Sequence, residues 1–255
     1  MSARLAARLK PRFFKANQIS ASKVKISALW IAVALPVSIA LLALAAGSLP
    51  AYAKSGSAPA PVFRMDFSHP GLSPSHWTLT IHPDGSGHFQ SERGKLPAKG
   101  PQSFEAPDVD RDIRLSAEFV QRVFFVAGHR NWSKLDCDSH LKVAFQGWKK
   151  LSYSAPEGGG DCKFNYSQDK EIQALGDSLR AVAETIVEGA RLEVLLQHDR
   201  LGLDKEMESL AEEAREGNAQ QLGTIRGILE RLAEDPGVME RVRKRARALE
   251  AKAEE

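Results

Sequence analysis

Residues 76–90 read HWTLTIHPDGSGHFQ, and they give the strongest local signal for the fold because they predict a β-hairpin. Apolar and polar residues alternate before the turn, which is the pattern of a half-buried strand. Pro83 suits the first corner of a type I turn, and Gly85 can take the left-handed conformation that closes a three-residue loop. The register pairs His82 with Ser86, Thr80 with His88 and Leu79 with Phe89. It places Trp77, Leu79, Ile81 and Phe89 on one buried face.

Further strands are predicted on both sides of the hairpin. Residues 62–67 alternate in the same way, and a short strand is expected near Gln102–Glu105. A looser alternation from His140 to Tyr166 predicts two or three more antiparallel strands, with a glycine-rich loop at Glu157–Gly160. In this interpretation Leu141, Val143 and Phe145 belong to one strand.

Helical signals flank and follow these strands. Leu115–Val126 predicts a helix that Ser116 caps and Gly128 ends. From Ser167 onward, an apolar stripe is wide enough to lie against a sheet. It consists of Ile172, Leu175, Leu179, Val182 and Ile186. The final part of the chain predicts three short helices, at Asp204–Glu216, Asn218–Glu234 and Pro236–Ala253, with Asp235 as the cap of the last one.

These elements together predict an α+β fold, in which a small antiparallel sheet with packed helices precedes a helical C-terminal tail. We place the α+β domain at residues 62–202, the tail at 203–255 and a flexible linker at 54–61, which reads KSGSAPAP. The tail is charged and lacks aromatic residues, so its helices are expected to pack on each other, on the preceding helix or on a partner. The sequence predicts that a chain without residues 203–255 stays folded.

The first 53 residues predict export. Residues 1–25 contain seven Lys and Arg and no acid, and residues 26–53 contain no charged side chain. A basic flank, an apolar run and the Ala51-Tyr52-Ala53 triplet are typical of a signal peptide cleaved after Ala53. Alternatively, residues 26–46 remain as a membrane anchor. Both interpretations place residues 54–255 outside the cytoplasm, in the periplasm, secreted or anchored in the inner membrane.

The charge balance argues against nucleic acid as a partner. Seven of the 35 Lys and Arg precede Ile26, so the exported part has 28 basic against 32 acidic residues, a net charge of about −4. Binding of phosphate backbones needs clustered positive charge, which a mildly acidic exported chain does not offer.

The only two cysteines, Cys137 and Cys162, predict a disulfide. An even number of cysteines in an oxidising compartment favours a bridge. The alternatives are a metal-binding pair or a redox pair, and neither has C-x-x-C spacing here. We expect the bridge to fasten the loop before the later strands to the last strand.

The hairpin histidines are the best candidates for a chemical site. His76, His82 and His88 are predicted to share the polar face with Glu92, where imidazoles and a carboxylate could hold zinc with a position open for water. A solvated polar face is the plainer interpretation, since no H-E-x-x-H is present. Asp136–His140 reads as a solvated turn or a weak cation site.

Other motifs carry no reaction. Gly158–Gly160 is not followed by Gly-Lys-Ser or Gly-Lys-Thr, and the chain has no G-x-S-x-G. A basic cluster in the last helix suits anionic lipid, an acidic partner or simple solvation. It consists of Arg241, Arg243, Lys244, Arg245 and Arg247.

The order of elements resembles hypothetical exported bacterial proteins without an assigned function. The likeness is carried by His76–Gln90, Asp136-Cys137-Asp138, Gln146–Tyr153 and Asp199–Asp204. It implies α+β architecture and export, and it implies no catalytic residue. We therefore expect a non-enzymatic interaction or scaffold module without a cofactor, whose helical tail engages a protein partner. A metal-binding protein or metal-dependent hydrolase that uses the hairpin histidines is the alternative.

Overall fold

The computed structural model describes residues 60–94 and 107–253. The predicted signal or anchor segment, most of the linker and the strand near Gln102–Glu105 lie outside these residues. The chain divides into two units, of which Lys54–Glu255 is the one described here.

Six antiparallel strands form one sheet, which confirms the predicted α+β class. The strands are β1 (Val62–Ser68), β2 (His76–Ile81), β3 (Ser86–Glu92), β4 (Val109–Arg114), β5 (Trp148–Ala155) and β6 (Gly158–Phe164). Their spatial order is β4-β3-β2-β1-β5-β6, so β4 and β6 are the edges. The first four strands form a meander, and β5 then joins the free side of β1.

The hairpin of β2 and β3 has the predicted register. Leu79 pairs with Phe89 and Thr80 with His88, while the His82 amide donates to the Ser86 carbonyl over 2.8 Å. Gly85 has a φ of +84°, and a Cβ there would lie 2.9 Å from the Leu115 carbonyl oxygen. Glycine is therefore needed at this corner both for its backbone conformation and for space.

Five α-helices are present in the described ranges: α1 (Ala117–Gly128), α2 (Lys170–His198), α3 (Gly202–Glu216), α4 (Arg226–Glu234) and α5 (Glu240–Lys252). The Ser116 hydroxyl accepts from the Phe119 amide and caps α1 as predicted. Asp169 caps α2 by accepting from the Glu171 and Ile172 amides. Helices α1 and α2 bury their apolar stripes against the apolar face of the sheet, where Phe63, Leu79 and Phe89 are fully buried.

The tail helices form a second core with the end of α2. Leu192, Leu195 and Leu196 of α2 are buried among apolar residues of α3, α4, α5 and the short turns between them. The Gln221 side chain also accepts from the Ser116 amide over 2.7 Å, which connects the tail to the start of α1. Among the described residues, the two cores lie between Phe63 and Leu249, inside the unit Lys54–Glu255.

Four local predictions are wrong, and one strand was missed. The helix predicted at Asn218–Glu234 begins only at Arg226, after a 3₁₀ turn at Leu222–Ile225. Helix α5 begins at Glu240, because Asp235 uses its side chain to accept from the Gly237 amide and closes a turn. The three glycines of Gly158–Gly160 lie inside β6, and the turn before them is only Pro156-Glu157. Strand β4 was not predicted. The segment before β5, predicted as a strand, has no regular secondary structure.

Candidate interaction surface

The apolar residues just before β5 lie on the surface. Residues 141–148 read LKVAFQGW, and we call them the exposed segment. Residues 141–146 are all exposed, and its largest apolar side chains keep much of their area in solvent: Leu141 55%, Val143 40%, Phe145 46% and Trp148 38%. Several exposed apolar side chains close together in the sequence make this segment a candidate for a binding surface.

The backbone of the exposed segment is fastened to the end of β6. The Asn165 side chain accepts from the Gln146 amide over 2.7 Å and donates to the Ala144 carbonyl over 3.1 Å. The Ser139 amide donates to the Tyr166 carbonyl over 2.9 Å. These bonds use backbone groups that would otherwise pair with a neighbouring strand, so residues 141–147 have a fixed path without being part of the sheet, which Trp148 then joins as the first residue of β5.

The predicted disulfide closes the start of this arrangement. Cys137 and Cys162 are joined, with Cα atoms 5.7 Å apart and both residues buried. Since Cys162 lies in β6 and Asn165 follows that strand directly, the bridge and the amide hold the segment from the same edge of the sheet. The chain between them cannot retract far from this edge.

Gly147 precedes Trp148, the last residue of the exposed segment, and sets the direction of β5. Its φ is +103°, and a Cβ there would lie 2.4 Å from the Phe67 ring. The strand that follows turns Trp148 outward and Lys149 inward, as the alternating burial of β5 shows. An aromatic side chain is thereby placed on the solvent face of the sheet.

Aromatic rings form a contact chain at this point. The Phe145 ring centroid lies 5.1 Å from that of His69 and 5.8 Å from that of Trp148. The Lys163 ammonium lies 4.8 Å from the Trp148 ring centroid, a cation–π arrangement. Aromatic side chains of this kind, held in defined positions, carry much of the binding energy at protein surfaces.

Lys142 is the one charged residue of the exposed segment. Residues 139–150 contain three lysines and no acid. Lys142 is exposed, while Lys150 makes an ion pair with Asp161. At the start of the segment His140 bonds to Asp136 over 3.0 Å and lies 3.6 Å from Asp138. The hydrogen bond to Asp136 raises the pKa of His140, and the same bond lowers the pKa of Asp136.

Lys149 is buried beneath the segment. Its side chain is only 1% exposed, and its ammonium donates to the Asn165 carbonyl over 3.1 Å and lies 3.8 Å from Asp177 of α2. Burial lowers the pKa of Lys149, and the Asp177 carboxylate opposes that shift. The lysine connects α2 to Asn165, the residue that fastens the exposed segment.

The hairpin histidines are engaged by carboxylates of neighbouring strands. His76 lies between Asp66 at 3.2 Å and Glu92 at 4.0 Å. His88 lies between Asp112 at 2.9 Å and Asp110 at 3.2 Å. Asp66, Asp110 and Asp112 were missed in the sequence, because only strand order brings them beside the histidines.

The structure does not bring the predicted zinc ligands into one cluster. His76 and His88 belong to different carboxylate groups, and His82 follows the end of β2. In residues 60–94 and 107–253, no group of three or more His, Cys, Asp or Glu side chains is arranged to hold a metal ion. Zinc binding by this face stays a prediction.

Two carboxyl groups and one guanidinium meet in the interface between α2 and α3. Arg191 donates to Glu188 over 2.9 Å and to Glu206 over 2.8 Å. Burial raises the pKa of Glu188 to about 9, helped by its hydrogen bond with Glu206 and opposed by Arg191. Burial acts in the same direction on Glu206, but the bonds with Glu188 and Arg191 outweigh it and lower its pKa. We interpret the pair as sharing one proton at neutral pH, as close carboxyls do.

Most side chains of the basic cluster of α5 form ion pairs with acidic residues of the tail. Arg241 and Arg245 bond to Asp204 of α3 over 2.6 and 2.7 Å. Arg243 and Arg247 pair with Glu240 on their own helix. These contacts hold α5 against α3, and they leave this cluster less cationic than its sequence predicts.

Comparisons with protein families and with curated proteins found no match for this chain. No protein-family model matches the chain, and no curated protein is significantly similar to it. Among the described residues, no helix is both long enough and apolar enough to cross a bilayer. The predicted span at residues 26–46 lies outside them.

Proposed function

We propose that the protein is an exported, non-enzymatic interaction module and that the exposed segment is its contact surface. One observation carries the proposal: the segment displays Leu141, Val143, Phe145 and Trp148 to solvent while its backbone is fastened by hydrogen bonds and a disulfide. Apolar side chains that are merely left over are usually scattered singly. Here four of them lie within eight residues of a fastened backbone, which favours binding to a partner with little loss of conformational entropy.

Export is supported by two independent features. The sequence has a basic start followed by the uncharged residues 26–53. The bridge between Cys137 and Cys162 is consistent with an oxidising compartment. A periplasmic, secreted or membrane-anchored location outside the cytoplasm is therefore part of the proposal.

A binding role is better supported than a catalytic one. The ionisable groups that are candidates for catalysis are the hairpin histidines and Glu188. They bond to charged side chains of the same chain. Contact of residues 203–255 with a protein partner stays a prediction. Of the two surfaces, the exposed segment is the one with apolar side chains available, because the tail uses its own in the second core.

Photo-crosslinking in intact bacterial cells tests the proposal. A photoreactive phenylalanine analogue is placed at Phe145, and in a matched control at Phe125, which is exposed by 64% on α1. We expect adducts from position 145 and none from position 125. Protein adducts are detected by gel shift, and lipid adducts by the mass of the peptide that contains residue 145.

Two results would contradict the proposal. One is equal crosslinking from both positions, which would mean non-specific contact. The other is no adduct from position 145 while the exported protein is present and folded. Amino-terminal sequencing of the same material determines whether the chain is cleaved after Ala53.

A further inference from the structure

We infer that the exposed segment binds the surface of an anionic lipid bilayer. Leu141, Val143, Phe145 and Trp148 enter the interfacial region, while the adjacent lysines face the lipid headgroups. The inference rests on the proposed function, since it names the partner of the same surface. It is argued from the charge, residue types and rigidity of that surface.

Charge complementarity selects an anionic partner. The exported part of the chain has a net charge of about −4, yet residues 139–150 carry lysines and no acid. Lys142 is exposed within the segment, and Lys163 lies over the Trp148 ring. The acids beside these residues are paired: Asp161 with Lys150, Asp136 and Asp138 with His140, and Asp177 with Lys149. Lys142 and Lys163 are therefore the lysines on which the local positive charge rests. A local basic surface on an acidic domain fits the negative potential of a lipid surface.

The residue types are those that settle at a membrane interface. Tryptophan is enriched at headgroup level because its ring is apolar and its N–H group is polar. Lysine can extend its apolar stem along the interface and keep its ammonium in water. The segment alternates such residues with Leu, Val and Phe, so one short loop supplies both the apolar and the cationic contacts.

A second copy of the chain fits this surface less well. A two-fold dimer through the segment would place the same patch against itself. Such an interface would bring together Lys142 and Lys163 of both protomers, with no acid within residues 139–150 to neutralise them. Burial of like charges against each other opposes such an interface.

The hydrogen bonds that fix the backbone of the exposed segment are also compatible with its insertion into the membrane interface. Asn165 satisfies the Gln146 amide and the Ala144 carbonyl internally, so these groups need not be transferred unpaired into a less polar layer. An unsatisfied backbone group in such a layer is costly. The segment can therefore enter the interface without first changing its hydrogen bonds.

Tryptophan fluorescence gives a specific readout. Residues 54–255 contain Trp77, Trp132 and Trp148. The first two are buried, with 3% and 4% of their area exposed, whereas Trp148 is exposed by 38%. We mix this oxidised protein with vesicles of phosphatidylcholine alone or of equal parts phosphatidylcholine and phosphatidylglycerol. We expect a blue shift and quenching by bromine-labelled acyl chains with the anionic vesicles, and neither in a Trp148→Phe variant.

Sedimentation with the same vesicles measures the partition coefficient. Phe145→Ser should lower it about tenfold, because burying a phenylalanine side chain contributes enough for a change of that order. Lys142→Gln should lower it about fivefold and reduce its dependence on salt. The matched control is Phe125→Ser, which removes an equally apolar and more exposed side chain on α1 and should leave partition unchanged.

Three outcomes overturn the inference: no partition to anionic vesicles, equal partition to both vesicle types, or an equal effect of Phe145→Ser and Phe125→Ser. A dimer that Phe145→Ser abolishes, in the absence of vesicle binding, would instead assign the surface to a second copy. Protein adducts from position 145 without vesicle binding would leave the proposed function in place and refute only the lipid partner. Absence of both would refute the two together.

Discussion

The carboxyl pair at the α2–α3 interface makes the protein less stable as pH rises, and substitution of Glu188 by glutamine should remove that dependence. The folded protein holds a proton on Glu188, whose pKa is raised to about 9, whereas the unfolded chain releases it near 4.5. A group whose pKa is higher in the folded protein than in the unfolded chain contributes its full stabilisation at pH values below its pKa in the unfolded chain. That contribution is lost as pH rises through the folded value.

The magnitude follows from the number of protons. Between pH 4.5 and about 9 the folded state holds one proton more than the unfolded state, so the free energy of unfolding falls by about 1.4 kcal/mol per pH unit. From about pH 6 to about pH 8 the loss is about 3 kcal/mol. The slope of the free energy of unfolding against pH is set by this one proton. Within that window it does not depend on the exact pKa of Glu188 in the folded protein.

Other charged groups face the same interface. Glu184 of α2 and Glu213 of α3 also have pKa values raised by burial, and Lys205 of α3 acts on Glu206. The low pKa of Glu206 works in the opposite sense, since its contribution is lost as pH falls. The difference between wild type and Glu188→Gln isolates the proton on Glu188 from these contributions.

Guanidinium unfolding at a series of pH values measures the effect. The free energy of unfolding of Glu188→Gln should fall less steeply with pH than that of the wild type, by about 1.4 kcal/mol per pH unit. Glu234→Gln, at an exposed position of α4, is the matched control and should follow the wild type. Parallel curves for wild type and Glu188→Gln would refute the shared proton.

Replacement of Cys137 and Cys162 by serine should lower the free energy of unfolding by about 3 to 4 kcal/mol, because the bridge spans 25 residues; unchanged stability in denaturant would contradict this. Gly147→Ala should cost about 1 to 3 kcal/mol, since its φ of +103° disfavours a side chain and the Phe67 ring is in the way. Thermal melting measures this cost, and Gly128→Ala, where nothing lies within 4 Å of an added Cβ, is the matched control. Deletion of residues 203–255 should abolish cooperative melting by circular dichroism, because the end of α2 loses its core; a cooperative transition would support the independent domain that the sequence predicts.

Local signals explain why the hairpin could be predicted. Pro83-Asp84-Gly85 determines the turn, the turn determines the register, and the alternation of Trp77, Leu79 and Ile81 determines the buried face. The cap of α1 at Ser116 is equally local, since it depends on residues within one helical turn. Neither prediction required knowledge of what lies beside these residues in space.

Strand β4 could not be recognised because its sequence, VDRDIR, resembles a charged loop. Only Val109 and Ile113 carry apolar side chains to the core, and Arg111, on the same face, extends to Glu193 of α2 over 3.1 Å. Charged residues are common on edge strands, where they oppose pairing with another chain. The strand exists because β3 offers it a partner, which is a non-local cause.

The exposed segment misled the prediction for a related reason. Leu141, Val143 and Phe145 alternate as in a strand, but alternation specifies only that the chain is extended. A strand also needs a neighbour for its backbone groups. Here the Asn165 side chain takes the Ala144 carbonyl and the Gln146 amide, and Gly147 adopts a conformation unsuited to a strand. Contacts with residues about 20 positions later in the chain therefore outweigh the local pattern.

The orientation of β5 places Trp148, the last residue of the exposed segment, on the surface of the protein. Leu151 and Tyr153 face the core, and strict alternation then places Lys149 inside and Trp148 outside. The opposite orientation would bury Trp148 but would expose Leu151 and Tyr153 and turn Lys150 and Ser152 inward, so the whole strand favours the observed face even though Lys149 and Trp148 individually do not. Burial of Lys149 opposes its charged state, and Asn165 and Asp177 offset only part of that cost. A fold that keeps a lysine inside and a tryptophan outside departs from local consistency, and such departures are expected where a surface serves binding.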